Sequence, residues 1–134
     1  MEFFSSLLEY NEVGLTLLRL AVGIIFLTHG LMKLGMWKMT ASPQMPGSML
    51  AIMRTLSIVE PVGGVALMLG VFTQIVSMIF VVVMLGAIYF KISKWGKKFT
   101  GDGGWELDFI LLAANLALIL GGGGAWGLDR LLAQ

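Results

Sequence analysis

The chain is a succession of long apolar runs separated by short polar or glycine-containing segments. Four runs, at about residues 15–35, 49–71, 74–90 and 107–126, approach the ~20 apolar residues that an α-helix needs to cross a bilayer. Only a few residues separate the second run from the third, so these two helices are expected to form a tight antiparallel hairpin. The pattern therefore predicts an all-α integral membrane four-helix bundle, built as a single domain over residues 1–134.

Composition agrees with a membrane protein and excludes several chemistries. Of the 134 residues, 57% are hydrophobic and 13% are charged, whereas soluble domains carry about 25% charged residues. The absence of cysteine excludes disulfides, thiolate metal sites and covalent haem attachment. A single histidine predicts no metal site, and the absence of a basic patch predicts no nucleic-acid partner. A redox function would therefore need a non-covalent cofactor or a partner protein.

The distribution of lysine and arginine predicts the orientation in the membrane. With four spans, residues 36–48 and 91–104 lie at one end of the bundle, here called the loop side, and both termini lie at the other, here called the terminal side. The loop side collects most of the basic residues, whereas the N-terminal tail is acidic. Because such a bias marks the cytoplasmic face, we expect both loops in the cytoplasm, both termini outside, and the protein in the plasma (inner) membrane.

Ionisable side chains inside the apolar runs provide the strongest functional lead. On a helical wheel, Arg19, His29 and Lys33 lie within about 80° of one another on the first helix. Glu60, in the second run, reaches a depth compatible with His29. Because a charge near the bilayer centre costs roughly 2.5–3.5 kcal/mol, such groups are expected to be paired, hydrated or functional.

Other polar residues are predicted to reach the same end of the bundle. Tyr89 ends the third run, and Trp105, Glu106 and Asp108 begin the fourth. We expect one polar pocket near the loop side, with candidate ligand-binding residues Arg19, Lys33, Tyr89, Trp105 and Asp108. Arg19 lies about 15 Å from His29 along the helix, so its role should differ: it could reach the interface or pair with Asn115, Glu12 or a lipid phosphate.

Three residues are candidates for proton handling: His29, Glu60 and Glu106. The ordinary pKa of histidine suits proton exchange near neutral pH, and a buried carboxyl group can carry a proton. Each also has a structural interpretation. His29 could pack against a backbone carbonyl, Glu60 could form an ion pair with Lys33 or His29, and Glu106 could stabilise the start of its helix.

Three segments carry a resemblance to a known family: LRLAVGIIFLTHGLMKLG, EPVGGVALMLGVFT and GGWELDFILLAANLALILGGGGAWGLDRLL. They resemble the first, second and last spans of DoxX-type membrane proteins, which include DoxD-like proteins. The likeness covers nearly the whole chain. One difference is that Tyr89, Phe90 and Lys91 stand where family members often carry a histidine.

The resemblance implies a redox-associated membrane subunit. The family is named for a subunit associated with a terminal quinol oxidase, and a DoxD-like group forms part of a thiosulfate:quinone oxidoreductase. It implies a quinone or similar amphipathic ligand at the polar cluster, with electrons from a soluble or membrane partner. Two alternatives stay open: a non-catalytic scaffold in an oxidative-stress or sulfur-handling complex, and a small-solute transporter acting as a homo-oligomer. Whether the chain is itself an enzyme is also open.

Overall fold

A computed structural model describes residues 2–134, and all the regular secondary structure in this range is helical apart from one isolated bridge between Ser42 and Met45. Four long helices pack side by side, with a short helix at each end of the chain. The α-helices are α1 (Glu2–Ser6), α2 (Asn11–Met32), α3 (Gly47–Leu69), α4 (Thr73–Ser93), α5 (Glu106–Gly121) and α6 (Leu128–Leu132). Two 3₁₀ segments, Leu7–Tyr10 and Lys33–Lys38, extend α2 in both directions.

The all-α membrane bundle is confirmed. Three helical segments, Glu2–Lys38, Gly47–Leu69 and Thr73–Ser93, are long and apolar enough to cross a membrane. Their outward faces carry large apolar side chains that would contact lipid, such as Leu17, Val62 and Val82. α5 has 16 residues, about 24 Å of helix, which is less than the ~30 Å hydrocarbon core. That the fourth run crosses the whole bilayer stays a prediction.

The helices form two closely packed pairs, α2 with α3 and α4 with α5, with much less contact between the pairs. Glycine allows the first pair to approach closely. A Cβ on Gly23 would lie 2.7 Å from the carbonyl oxygen of Gly64, and one on Gly64 would lie 2.6 Å from that of Gly23. Gly30 packs in the same way against the ring of Pro61. Small residues that let helix backbones meet are typical of membrane interfaces.

A stacked pair of aromatic rings joins the two helix pairs at the centre of the bundle. Phe26 of α2 and Phe80 of α4 have ring centroids 3.6 Å apart and planes inclined by 10°. Both side chains are essentially fully buried, and Leu67 and Leu118 complete the core around them. The apolar core therefore extends from Leu67 and Leu118 near the terminal side to Met84 toward the loop side.

The tight connection between the second and third spans is also present, and the C-terminal segment supports it. Gly70 ends α3 with φ +69° and Phe72 precedes α4 with φ +50°. The carboxylate of Asp129 accepts hydrogen bonds from the backbone N–H groups of Phe72 (2.6 Å) and Thr73 (2.8 Å). The N–H of Asp129 in turn donates to the Gly70 carbonyl at 2.8 Å. The chain after α5 therefore closes over the terminal side of the hairpin.

Candidate functional site

A cavity of about 270 Å³ opens among the four long helices on the loop side. Most of its lining is apolar, and its polar groups come from both helix pairs. It is lined by Phe26, His29, Lys33, Ile52, Met53, Leu56, Glu60, Val83, Met84, Gly86, Ala87, Phe90, Lys91, Trp95, Leu107 and Asp108. A mainly apolar pocket with a few convergent polar groups has the character expected of a ligand site.

The first polar group is the ion pair of Lys33 and Glu60. Lys33 begins the 3₁₀ segment after α2, and its Nζ donates to Oε2 of Glu60 at 2.5 Å. The Glu60 side chain is only 3% exposed, whereas that of Lys33 is 23% exposed. α3 continues as an α-helix through Pro61, so Glu60 is held on a regular helix. The carboxylate is therefore desolvated and depends on one lysine for its compensation.

The second polar group is the ion pair of Lys91 and Asp108. Nζ of Lys91, near the end of α4, lies 2.5 Å from Oδ2 of Asp108 in the first turn of α5. Lys91 also donates to the Gly104 carbonyl at 3.3 Å. The cavity is thus lined by two lysine–carboxylate pairs, one within each helix pair, and the formal charge of each pair is zero.

His29 lines the cavity one turn away from Lys33. The sequence left open that its ring bonds to a backbone carbonyl. Within residues 2–134, the imidazole has no hydrogen-bond partner. Its two ring nitrogens are therefore available to a ligand or to water.

The predicted site is assembled only in part. His29, Lys33, Glu60 and Asp108 line one cavity, but Tyr89, Glu106 and Trp105 do not. Tyr89 precedes Lys91 by two positions, and Glu106 precedes Asp108 by two, which is a rotation of about 200° on a helix. The lysine and the aspartate face inward, so Tyr89 and Glu106 are exposed on the opposite faces.

Trp105 belongs to a separate aromatic cluster. Its ring makes edge contacts with Phe99 and Phe109, at centroid distances of 4.6 and 6.1 Å. The expectation that Trp105 and Glu106 share the pocket with Glu60 is wrong, because the start of α5 directs only Asp108 into it.

Arg19 lies on the terminal side, away from the cavity, and the partners expected for it are wrong. Its guanidinium donates to the carbonyl oxygens of Leu67 (3.0 Å), Met68 (3.2 Å) and Trp126 (3.2 Å). Glu12 pairs instead with Arg130 at 3.0 Å. Arg19 is 1% exposed, and it donates to two carbonyls in the last turn of α3, where helix carbonyls lack their intrahelical donors; the Leu67 carbonyl also accepts from the N–H of Gly70 at 3.0 Å. Its geometry is that of a helix cap, not of a ligand contact in the cavity.

Lys91 and Trp95 are among the cavity residues that were absent from the predicted site. The sequence held a signal for Lys91, because a cation at the end of one helix faces a carboxylate at the start of the next. Trp95 follows α4 and lies in the loop 91–104, where apolar patterning does not predict the direction of a side chain. With Phe90, it separates the cavity from a second depression of about 480 Å³ that is lined by residues of both loops.

Comparisons with known proteins agree with one another. A family model described as DoxX matches residues 14–93. The chain is 34% identical over 122 residues to a protein of Bacillus subtilis (strain 168) named "Putative oxidoreductase CatD", and the match covers 88% of this chain and 86% of that protein. No solved structure matches the chain.

Proposed function

Because this chain belongs to the DoxX family of membrane proteins, we propose that its loop-side cavity binds a quinone or a ligand of similar planar, amphipathic chemistry. The observation that carries the proposal is the combination of an apolar cavity with two lysine–carboxylate pairs and an unpartnered histidine. A purely structural bundle needs neither the space nor the second pair.

The donor set and the shape fit such a ligand. The cavity volume of about 270 Å³ is just below the ~300–1,000 Å³ that ligand pockets usually enclose. It therefore suits a single ring system with its first substituents, while a longer apolar tail would extend between the helices into lipid. Apolar side chains such as Leu56 and Val83 suit the ring faces, and the lysine ammonium groups suit its carbonyl oxygens.

The residues of the chain have distinct roles in this proposal. Lys33 and Lys91 donate hydrogen bonds to ligand oxygens without leaving their carboxylate partners, because an ammonium group has three donors. Glu60 and Asp108 hold the two ammonium groups in position through the ion pairs. His29, with both ring nitrogens free, holds or releases a proton at a ligand oxygen.

The electrons come from elsewhere in this proposal. A bound quinone accepts two electrons and two protons, and a chain without cysteine offers no thiol to deliver the electrons. The protein would act as the membrane subunit of a quinone-linked oxidoreductase, with a soluble or membrane partner as the donor. The name of the relative in Bacillus subtilis supports a redox setting.

Binding can be measured through the fluorescence of Trp95, which lines the cavity. A short-chain quinone analogue is titrated into the purified protein in mild detergent, and the quenching of tryptophan emission is recorded. We expect a saturable component in the native protein that is missing in Trp95→Phe. The other tryptophans lie outside the cavity and should contribute only linear, collisional quenching.

Matched variants separate cavity binding from adsorption to the micelle. Ala87→Phe fills the cavity and should remove saturable quenching, whereas Ala117→Phe adds the same ring to an exposed face of α5 and should not. Glu60→Gln should weaken binding roughly tenfold, which corresponds to about 1.4 kcal/mol. Unchanged binding in a folded Ala87→Phe protein would refute the cavity as the site. A large loss of thermal stability in Glu60→Gln with unchanged binding would instead support a scaffold.

A further inference from the structure

Four buried polar atoms on the terminal side have no hydrogen-bond partner within residues 2–134. They are Arg19 Nε, Thr73 Oγ1, Ser77 Oγ and Asn115 Oδ1. Each of these residues is at most 1% exposed. An unpaired buried polar group costs about 1–3 kcal/mol, and native structures contain few of them. Four in one half of a small bundle require an explanation.

These atoms belong to one polar track. The buried residues of α4 are Thr73, Ser77, Phe80 and Met84, which form a single row along the helix. Thr73 and Ser77 are one turn apart, about 6 Å. The side-chain amide of Gln74 donates to the carbonyl of Ile119 at 2.7 Å, which brings Ser77 and Asn115 to nearly the same level because α4 and α5 run antiparallel.

Arg19 joins the track beside Gly123. A Cβ on Gly123 would lie 2.8 Å from Thr73 Oγ1 and 3.4 Å from Arg19 Cδ, so both side chains border the same glycine. Thr73 and Gly123 also line an open depression of about 330 Å³ on the terminal side, together with Asp129. The polar track therefore begins next to solvent and runs inward.

The track ends at the Phe26–Phe80 ring pair. Phe80 follows Ser77 by three residues on the same row of α4, and Met84, the next buried residue, lines the loop-side cavity. Phe26 lines that cavity as well. The four unpaired polar atoms and the ligand-sized cavity thus lie on opposite sides of one layer of stacked rings.

We propose that the terminal half of the bundle binds a chain of internal water molecules on Arg19 Nε, Thr73 Oγ1, Ser77 Oγ and Asn115 Oδ1, and that the Phe26–Phe80 pair separates this water from the loop-side cavity. Buried waters typically make about three hydrogen bonds to otherwise unsatisfied groups. One water can bridge the one-turn spacing of about 6 Å between the two hydroxyl groups, since two hydrogen bonds of about 2.8 Å span about 5.6 Å. The bundle then contains a row of enclosed water sites that starts beside the terminal-side depression.

The direct test is a crystal structure of the native protein at a resolution that shows ordered water, grown with bromide in place of chloride. We expect density for at least two waters within about 3.2 Å of the four atoms. A dry track would overturn the proposal. An anomalous bromide peak beside Arg19 would also overturn it, because the site would then bind an anion.

The separating role of the rings is tested in proteoliposomes that enclose a pH-sensitive dye. Phe80→Ala should increase proton flux roughly tenfold or more over the native protein, which corresponds to lowering a barrier by about 1.4 kcal/mol. Phe80→Leu, which keeps more of the packing, should give a smaller increase. Adding Asn115→Leu to Phe80→Ala should reduce the flux again, because it removes a water ligand from the track.

Phe109→Ala is the matched control, since Phe109 lies outside both the ring pair and the loop-side cavity. Its flux should equal that of the native protein. Each variant is first shown to be folded by its elution volume and melting temperature. If a folded Phe80→Leu or Phe80→Ala protein has the same proton flux as the native protein, the separating role of the rings is refuted, whatever the crystal structure shows.

Discussion

Asp129→Ala should destabilise the bundle more than the position of Asp129 in the C-terminal segment suggests. The carboxylate holds the N–H groups of Phe72 and Thr73 at 2.6 and 2.8 Å. Hydrogen bonds to charged groups contribute about 1.5–3 kcal/mol each. Because Phe72 is exposed and Asp129 half-buried, water compensates part of the loss, so we expect about 2–3 kcal/mol for both bonds together.

The backbone at Phe72 adds a second, independent test of the same geometry. Its φ of +50° is in the left-handed region, which costs a residue with a side chain roughly 1–2 kcal/mol. The Asp129 carboxylate helps to hold that conformation. Adding Phe72→Gly to Asp129→Ala should therefore recover about 1 kcal/mol of the lost stability, even though it removes an aromatic ring.

Thermal unfolding in detergent, followed by circular dichroism, measures both effects. One kcal/mol moves the melting temperature by roughly 3–6 °C in a chain of this size, so Asp129→Ala should melt about 6–18 °C below the native protein. Asp129→Asn should lose about half as much, since it keeps one acceptor oxygen. Asp102→Ala, in an exposed loop, is the control. If Asp129→Ala and Asp102→Ala melt at the same temperature, the capping argument is wrong.

Three further predictions use the same measurement. Gly64→Leu should destabilise by about 1–3 kcal/mol because its side chain would separate α2 from α3, whereas Gly14→Ala, in open space, should be neutral or stabilising. Asp108→Asn leaves the Lys91 ammonium group without its carboxylate and should cost about 1–3 kcal/mol of unfolding free energy, below the ~3–5 kcal/mol of a fully buried pair. An unchanged melting temperature would show that this ion pair does not stabilise the fold. Thr73→Val should lower the melting temperature if its hydroxyl binds water; an increase would mean that the hydroxyl is a dry, unpaired group.

Hydrophobic patterning was sufficient to predict the helices, because apolar length is a local property of the chain. The predicted first three spans overlap α2, α3 and α4 almost completely. The fourth was predicted to continue to residue 126, but α5 ends at Gly121. Gly122 and Gly124 have φ of +76° and +80°, so the glycine run leaves the helical conformation, and an apolar composition alone does not reveal this.

The candidate site could be predicted only as far as single-helix geometry allowed. The helical-wheel angles and the depths along each helix correctly placed His29, Lys33 and Glu60 close together. It could not decide which acidic residue at the start of α5 faces inward, because that depends on how α5 is rotated against α4. The partners of Arg19 were also beyond it, since they are backbone carbonyls from residues far along the chain.

The arrangement of polar contacts suggests how a ligand could enter the cavity. On the loop side, the ion pairs lie within each helix pair, Lys33 with Glu60 and Lys91 with Asp108. Among the described residues, no hydrogen bond or ion pair joins one helix pair to the other at that end.

The terminal side is different, because Arg19 and Asp129 tie the C-terminal segment to the α3–α4 turn. Separating the two helix pairs at the loop side would therefore break only apolar contacts, which lipid tails can replace. The terminal side would act as the pivot of such a movement. The cavity lies at the loop side, where the boundary between the two helix pairs opens most easily. A ligand dissolved in the membrane could therefore enter from the lipid while both ion pairs stay intact.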